Sequence, residues 1–323
     1  MSETPQAIKV VAGVLQNEEG RYLVAQRPAG KHLAGLWEFP GGKVEAGETS
    51  IQALDRELQE EINVKVLAAQ PLIQVRHQYA ERLIELQIIE VIRWQGMPVP
   101  MEQQALQWVD YPQLCELPMP AADKPVCKAL GLPSHYFISP VWDFSTNQWQ
   151  MDIDCALEQS AGLLQVRQPI DNREACLIKL PEIIQYAHSQ GLGVILNTAA
   201  DMELPENCDG IHLNSQALFS SAAISVRERL GKKIIGASCH NLTELQQAFQ
   251  LGCDYAVLSS VKPTRSHSDV KPMGWSAFSE QVRQINMPVY ALGGLIPADL
   301  DQAREHGAVG VAGISSFVRR PFQ

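Results

Sequence analysis

The sequence predicts an α/β protein of two domains, an N-terminal unit of strands around one acidic helix and a C-terminal compact (β/α)8 barrel. Three observations predict it. The chain has 323 residues, and a domain takes roughly 100–200. Hydrophobic residues make up 46 % of it, enough for two cores. Beyond residue 135, eight short apolar runs alternate with helical patterns. Such alternation is what parallel strands joined by crossover helices produce.

The first part carries the strand-like runs Lys9–Leu15, Tyr22–Arg27 and Leu83–Trp94, with a helical stretch at Ser50–Ile62. Gly131-Leu132-Pro133-Ser134 is a break that no periodic segment crosses. Domains are therefore expected at 1–131 and 136–323, with 132–135 as linker. In the second part the apolar runs are Tyr136–Val141, Gly162–Val166, Gly193–Asn197, Gly210–Leu213, Lys233–Ala237, Tyr255–Ser259, Pro288–Leu292 and Val309–Ile314. Helical patterns such as Arg173–Gln190, Leu242–Leu251 and Ala298–His306 separate them. A doubly wound open sheet is the alternative to a closed barrel.

Charge and composition exclude some classes. The formal net charge is −10, so a nucleic-acid polymer or an anionic membrane, which need clustered Lys and Arg, is a poor partner. Small anionic ligands stay open, because backbone N–H groups or metal ions neutralise phosphates locally. The first residues lack the basic run and apolar stretch of a signal peptide. No apolar run reaches the length of a membrane span. The seven cysteines are scattered and never form CxxC. They read as reduced, mostly buried thiols of a cytoplasmic protein.

The acidic helix is the most informative element. Thr49 or Ser50 can cap its start. Ile51, Leu54, Leu58 and Ile62 recur every three or four residues and predict one buried stripe. Glu57, Glu60 and Glu61 share another side, at i, i+3 and i+4. Like charges at that spacing repel, and the negative end of the helix dipole disfavours them further. A hard cation reverses both effects, since clustered carboxylate oxygens are what Mg²⁺ takes. A solvated acidic face is the other reading.

The longer spacing carries a resemblance. Gly42, five residues, Glu48, seven residues, then Arg56-Glu57-Leu58-x-Glu60-Glu61 resembles the Nudix box. The resemblance implies an α/β/α sandwich with a mixed sheet and hydrolysis of a nucleoside triphosphate to monophosphate and pyrophosphate. It implies Mg²⁺, with Mn²⁺ as the alternative, on Glu57, Glu60, Glu61 and the Gly41 carbonyl. Arg56 would orient the carboxylates and Glu48 support the loop. One position departs: Asn63 stands where the family has a glycine ending the helix. Asn is the next best residue for a left-handed conformation, so the loop is expected to survive.

Beyond the box, residues 8–130 are similar to MutT-type diphosphatases of oxidised guanine nucleotides, which serve DNA repair. Ala25-Gln26-Arg27-Pro28 with His32, Leu36-Trp37-Glu38-Phe39-Pro40, Arg93-Trp94-x-Gly96, Trp108 and Pro120–Pro125 carry the likeness. It implies Glu102 as a loop carboxylate acting as base or extra metal ligand. It implies Arg27, Phe39 and Arg82 as substrate contacts. Asp123 stands where those proteins carry an Asn that reads the purine edge. An ionised Asp only accepts hydrogen bonds, whereas a neutral one also donates.

The second part resembles the thiamine phosphate synthase and TenI family, through Leu164-Gln165-Val166-Arg167, Asp209-Gly210-Ile211-His212-Leu213, Pro263-Thr264, Ala291-Leu292-Gly293-Gly294 and Gly313-Ile314-Ser315-Ser316. Gly293, Gly294, Ser315 and Ser316 follow the seventh and eighth strands, where barrels build phosphate sites. The resemblance implies a phosphorylated thiamine precursor as ligand. It also implies two magnesium-binding aspartates, but Thr198 and Ala217 occupy those positions. A lysine in the loop after Thr264 is replaced as well, with His267 nearest. The barrel is therefore expected to bind rather than catalyse, with His212 packed on its strand.

Overall fold

The computed structural model describes residues 7–79, 82–198, 203–264 and 271–319. The chain divides into two compact units, Met1–Gly131 and Leu132–Gln323.

In the first unit, Val11, Ala12, Val14 and Leu15 are all buried. Their strand β1 (Ile8–Leu15) is therefore a central one. It pairs antiparallel with β4 (Gly41–Lys43) and parallel with β6 (Arg82–Gln95), and β6 pairs antiparallel with β5 (Lys65–Tyr79). The order β4-β1-β6-β5 makes the expected mixed sheet. A second, antiparallel sheet adds β3 (Trp37–Glu38), β2 (Tyr22–Gln26) and β7 (Leu106–Val109), in that order.

Helix α1 (Ser50–Ile62) lies on the first sheet. A side chain at Gly13 of β1 would stand 3.1–3.2 Å from Leu58 and Leu54, so the bare glycine lets the helix approach closely. Thr49 forms a capping box with Gln52, and the helix ends at Asn63, whose φ of 57° and ψ of 38° are left-handed. The buried stripe needs one correction. Leu54, Leu58 and Ile62 are fully buried, but Ile51 is 44 % exposed and Ala53 is buried instead. Ile51 has the right angle on the helix but sits in its first turn, beyond the first core residue. The chain then runs through α2 (Tyr111–Glu116) to α3 (Lys124–Leu130).

In the second unit, β8 (His135–Ile138), β9 (Leu163–Val166), β10 (Gly193–Asn197), β11 (Gly210–Leu213), β12 (Ile234–Cys239), β13 (Tyr255–Ser259), β14 (Val289–Leu292) and β15 (Gly310–Gly313) are parallel. Because β8 pairs with both β9 and β15, the sheet closes into a barrel and the open-sheet alternative falls. The helices α4 (Gln148–Glu158), α5 (Arg173–Ser189), α6 (Val226–Leu230), α7 (Leu242–Gln250), α8 (Gly274–Val282) and α9 (Leu300–Glu305) intervene. Residues from the strands and these helices share two buried apolar clusters.

Tyr136, His212 and Tyr255 come from β8, β11 and β13, which are not neighbours in the sheet, yet they touch. Their contact therefore crosses the barrel interior. Tyr255 donates to the Tyr136 hydroxyl at 2.9 Å, and His212 Nε2 meets Ser238 Oγ at 2.8 Å. Burial holds the His212 imidazole down to about 3, so it is neutral.

Candidate active site

The acidic face of α1 is organised by one guanidinium. Arg56 donates from Nε and Nη2 to the two Glu48 oxygens at 2.8 and 3.0 Å. Its Nη1 reaches Glu57 Oε1 at 2.9 Å and Glu60 Oε2 at 3.3 Å, and Nη2 also reaches the Lys43 carbonyl at 3.0 Å. The helix is thus stitched to the turn that enters it. The Arg56 pair, with the Glu45 backbone N–H, holds the Glu48 carboxyl down to about 2.

Gly42 has no side chain because none would fit. A Cβ there would lie 2.3 Å from the Glu57 carboxylate. One residue earlier, the Gly41 N–H donates to Glu61 Oε2 at 3.1 Å. Burial, reinforced by the charges of Glu38, Glu57 and Glu102, pushes the Glu61 carboxyl up to about 7. The Glu61 carbonyl accepts from Gln104 Nε2 at 2.8 Å, and Gln104 Oε1 accepts from the Glu102 N–H at 2.8 Å. Glu102 is therefore fixed to the end of α1 through Gln104, and its carboxylate pairs with Lys31 at 2.8 Å.

A second cluster adjoins the first. Arg27 pairs with Glu38, and its Nε donates to the His32 carbonyl at 2.7 Å. Asp123, at the start of α3, is 5 % exposed and its side chain makes no capping hydrogen bond. Burial, then the charge of Glu38, pushes its carboxyl up to about 7, against the opposing pull of Arg27. Tyr79 ends β5 beside this group. Its hydroxyl is bonded to the Ala122 backbone, and its ring lies edge-on to His32 at 5.8 Å.

The residues expected to act together are brought together unevenly. Glu48, Arg56, Glu57, Glu60, Glu61 and Gly41 converge, and Glu102 stands within their field. Arg27 and Asp123 form the neighbouring cluster. Phe39 is 2 % exposed and belongs to the buried core. Arg82 is exposed at the start of β6.

The cation-holding role expected of Glu57, Glu60 and Glu61 rests on their chemistry, and each carboxylate is engaged here by a donor of the protein. Among the described residues, no three His, Cys, Asp or Glu side chains stand close enough to hold one ion. Like charges on one helix face separate, and each finds a nearer donor: Arg56 for Glu57 and Glu60, the Gly41 N–H for Glu61. The donor chemistry still fits a hard divalent cation, because it is all oxygen and the bare Gly42 leaves the Glu57 carboxylate its place.

Glu38, Tyr79, Gln104 and Lys31 were not singled out by sequence reading. Glu38 lies inside the quoted Leu36–Pro40 stretch. Tyr79 ends a strand with no clean alternation to mark it.

In the barrel, Gly293 and Gly294 follow β14, while Ser315 and Ser316 follow the adjacent β15. Both glycines have positive φ, and a side chain on Gly294 would meet the Pro263 carbonyl at 2.3 Å. Ser316 Oγ is buried without a hydrogen-bond partner. A cavity of about 240 Å³ opens at the ends of β9 and β10, lined in part by Gln168, Arg173, Asn197, Thr198 and Asn214. No carboxylate belongs to its described lining. His267 lies outside the described residues.

Comparison with known proteins divides at the same place. The family described as NUDIX domain matches residues 11–129, and the family described as thiamine monophosphate synthase matches residues 135–317. An 8-oxo-dGTP diphosphatase of Haemophilus influenzae is 38 % identical over 131 residues, covering 41 % of this chain and 96 % of that one. The CTP pyrophosphohydrolase of Escherichia coli is 38 % identical over 122 residues, covering 38 % and 90 %. A thiamine-phosphate synthase of a Synechococcus species is 31 % identical over 167 residues, covering 51 % of this chain and 46 % of that one. The chain therefore belongs to two families at once, a Nudix hydrolase in its first unit and a member of the thiamine monophosphate synthase family in its barrel.

Proposed function

We propose that the first unit hydrolyses 8-oxo-dGTP to the monophosphate and pyrophosphate, clearing the oxidised nucleotide before it enters DNA. The observation that carries this reading is the adjacency of two clusters: the Arg56-centred carboxylates and the Arg27–Glu38–Asp123 group. The first suits a phosphate chain, and the second suits the polar edge of a base. The 38 % identity to a diphosphatase of that nucleotide supports the same substrate.

Glu57, Glu60 and Glu61, with the Gly41 carbonyl, would hold Mg²⁺, or Mn²⁺ in its place. When bound, the ion neutralises the phosphates and acidifies the attacking water. Arg56 keeps Glu48 and Glu57 oriented by charged hydrogen bonds. Glu102, held by Gln104 beside Glu61, would take the water's proton or add a ligand. Arg27 and Asp123 bind the base.

The barrel, by the same reasoning, binds a phosphorylated thiamine precursor without turning it over. Thr198 and Ala217 offer no carboxylate at the positions where its relatives hold magnesium.

The test is pyrophosphate release with Mg²⁺ at low nucleotide concentration, comparing 8-oxo-dGTP with dGTP, CTP and thiamine pyrophosphate. A large preference for 8-oxo-dGTP supports the reading. Faster turnover of CTP or thiamine pyrophosphate keeps the chemistry and overturns the substrate.

A further inference from the structure

We propose that Lys31 is the resident counter-ion of Glu102: it holds that loop carboxylate while the acids are without a cation, yields it when a divalent ion binds, and then turns its freed ammonium to the phosphates of the nucleotide. The inference rests on the nucleotide reading of this site and adds a residue to it.

Lys31 stands between the two clusters. Its Nζ donates to Glu102 Oε2 at 2.8 Å. The ammonium also lies in the field of Glu61, in the first cluster, and of Arg27, in the second. Glu38, the partner of Arg27, feels it in turn. A nucleotide with its phosphates at the first cluster and its base at the second therefore runs past Lys31.

The two ends of the pair are mounted differently. The loop of Glu102 is fastened to the end of α1, where the Val99 N–H donates to the Ile62 carbonyl at 3.1 Å and the Met101 N–H to the Glu61 carbonyl at 3.0 Å. Lys31 lies on the loop between β2 and β3. That loop is closed at its base, with the Arg27 N–H on the Leu36 carbonyl at 2.9 Å and the Gly35 N–H on the Arg27 carbonyl at 3.0 Å. The backbone of each loop is thus held without the ion pair, and what Lys31 governs is the Glu102 carboxylate.

The kind of donor decides which pairs can open. Glu57 and Glu60 are held by Arg56, which also spans Glu48 and the Lys43 carbonyl, and Glu61 is held by the Gly41 N–H. Arg27 is committed to Glu38 and to the His32 carbonyl. Lys31 is a point charge on a flexible stem. Its pair is 52 % and 45 % exposed, and an exposed pair of this kind adds little stability, so it opens readily. Beside a divalent ion on Glu61 and Glu102 an ammonium is repelled. Lys31 is then free to exchange a carboxylate for a phosphate oxygen, another strong acceptor for a charged donor.

The test uses the full chain. Binding of Mn²⁺ alone, at low salt and without nucleotide, is read from the paramagnetic resonance of the free ion. A site lost in Glu57→Gln belongs to the first unit. At that site Lys31→Gln should bind Mn²⁺ about 5-fold more tightly than wild type. The gain should shrink as salt is raised. Lys31→Arg, which keeps the charge, should stay near wild type. At saturating Mg²⁺, Lys31→Gln should raise KM for 8-oxo-dGTP ~10-fold, the loss falling on KM more than on kcat. A lysine that only shaped its loop would not move the two affinities in opposite directions. Unchanged or weaker Mn²⁺ binding in Lys31→Gln overturns the proposal, and so does an unchanged KM. No pyrophosphate release from any nucleotide overturns the nucleotide reading and the phosphate contact with it, while the Mn²⁺ comparison, which needs no turnover, still decides the pairing.

Discussion

Glu57 is held from two sides, by Arg56 Nη1 at 2.9 Å and by a glycine whose missing side chain leaves it room. Replacing it with Gln keeps the volume and removes the charge. Glu57→Gln should lower kcat by about 100-fold or more while the melting temperature moves by only a few degrees. A collapse in melting temperature would make the residue structural. His212 shows the opposite arrangement, a titratable group kept neutral by burial. Its folded value of about 3 lies below the unfolded value near 6.5. Between those values the unfolded chain binds the extra proton, so stability present above pH 6.5 is lost as pH falls toward 3. The full loss is of the order of 5 kcal/mol by linkage. Urea midpoints of the barrel against pH should show this slope, and His212→Gln should flatten it.

Helix α1 was legible in its bounds, its start read at Thr49 or Ser50 and its end at Asn63, while the capping partner Gln52 and the exposure of Ile51 were not. All eight barrel strands were legible too, though with ends displaced in most of them, because runs of buried apolar residues leave little choice of period. The strands that escaped were the short β3, β4 and β7 and the long β5, an edge strand broken by register shifts and carrying Pro71. Edges tolerate proline and polar residues, so no alternation survives there to be read. Tyr79 and its place beside Asp123 went unread with it. The pairing of Arg27 with Glu38 was equally invisible, because it joins two elements across a turn. At the helix end, Asn63→Gly should be neutral to within ~0.5 kcal/mol, while Asn63→Ala should cost about 1 kcal/mol. Denaturant titration of the two variants distinguishes them, and equal losses would show that the left-handed conformation is not what Asn63 supplies.

At the scale of the whole chain, two compact units carry two kinds of site, which differ in their acids among the described residues. The first unit groups Glu48, Glu57, Glu60 and Glu61 about Arg56. The barrel's cavity instead shows Arg173 with the amides and hydroxyl of Gln168, Asn197, Thr198 and Asn214. Among the described residues of that cavity no carboxylate stands ready to hold a metal for the departure of pyrophosphate, but one guanidinium and several neutral donors still suit an anion. The chain should therefore form no thiamine phosphate from a pyrimidine pyrophosphate and a thiazole phosphate, even with millimolar Mg²⁺. A precursor phosphate should nonetheless raise the barrel's melting temperature, and chelating the magnesium should not abolish the shift. Binding linkage at a hundredfold excess over Kd contributes about 2.7 kcal/mol, roughly 5–10 °C for a unit of this size. Synthase turnover would show that the reaction dispenses with those acids. A melting curve unmoved at millimolar precursor would leave the barrel a purely structural companion of the hydrolase.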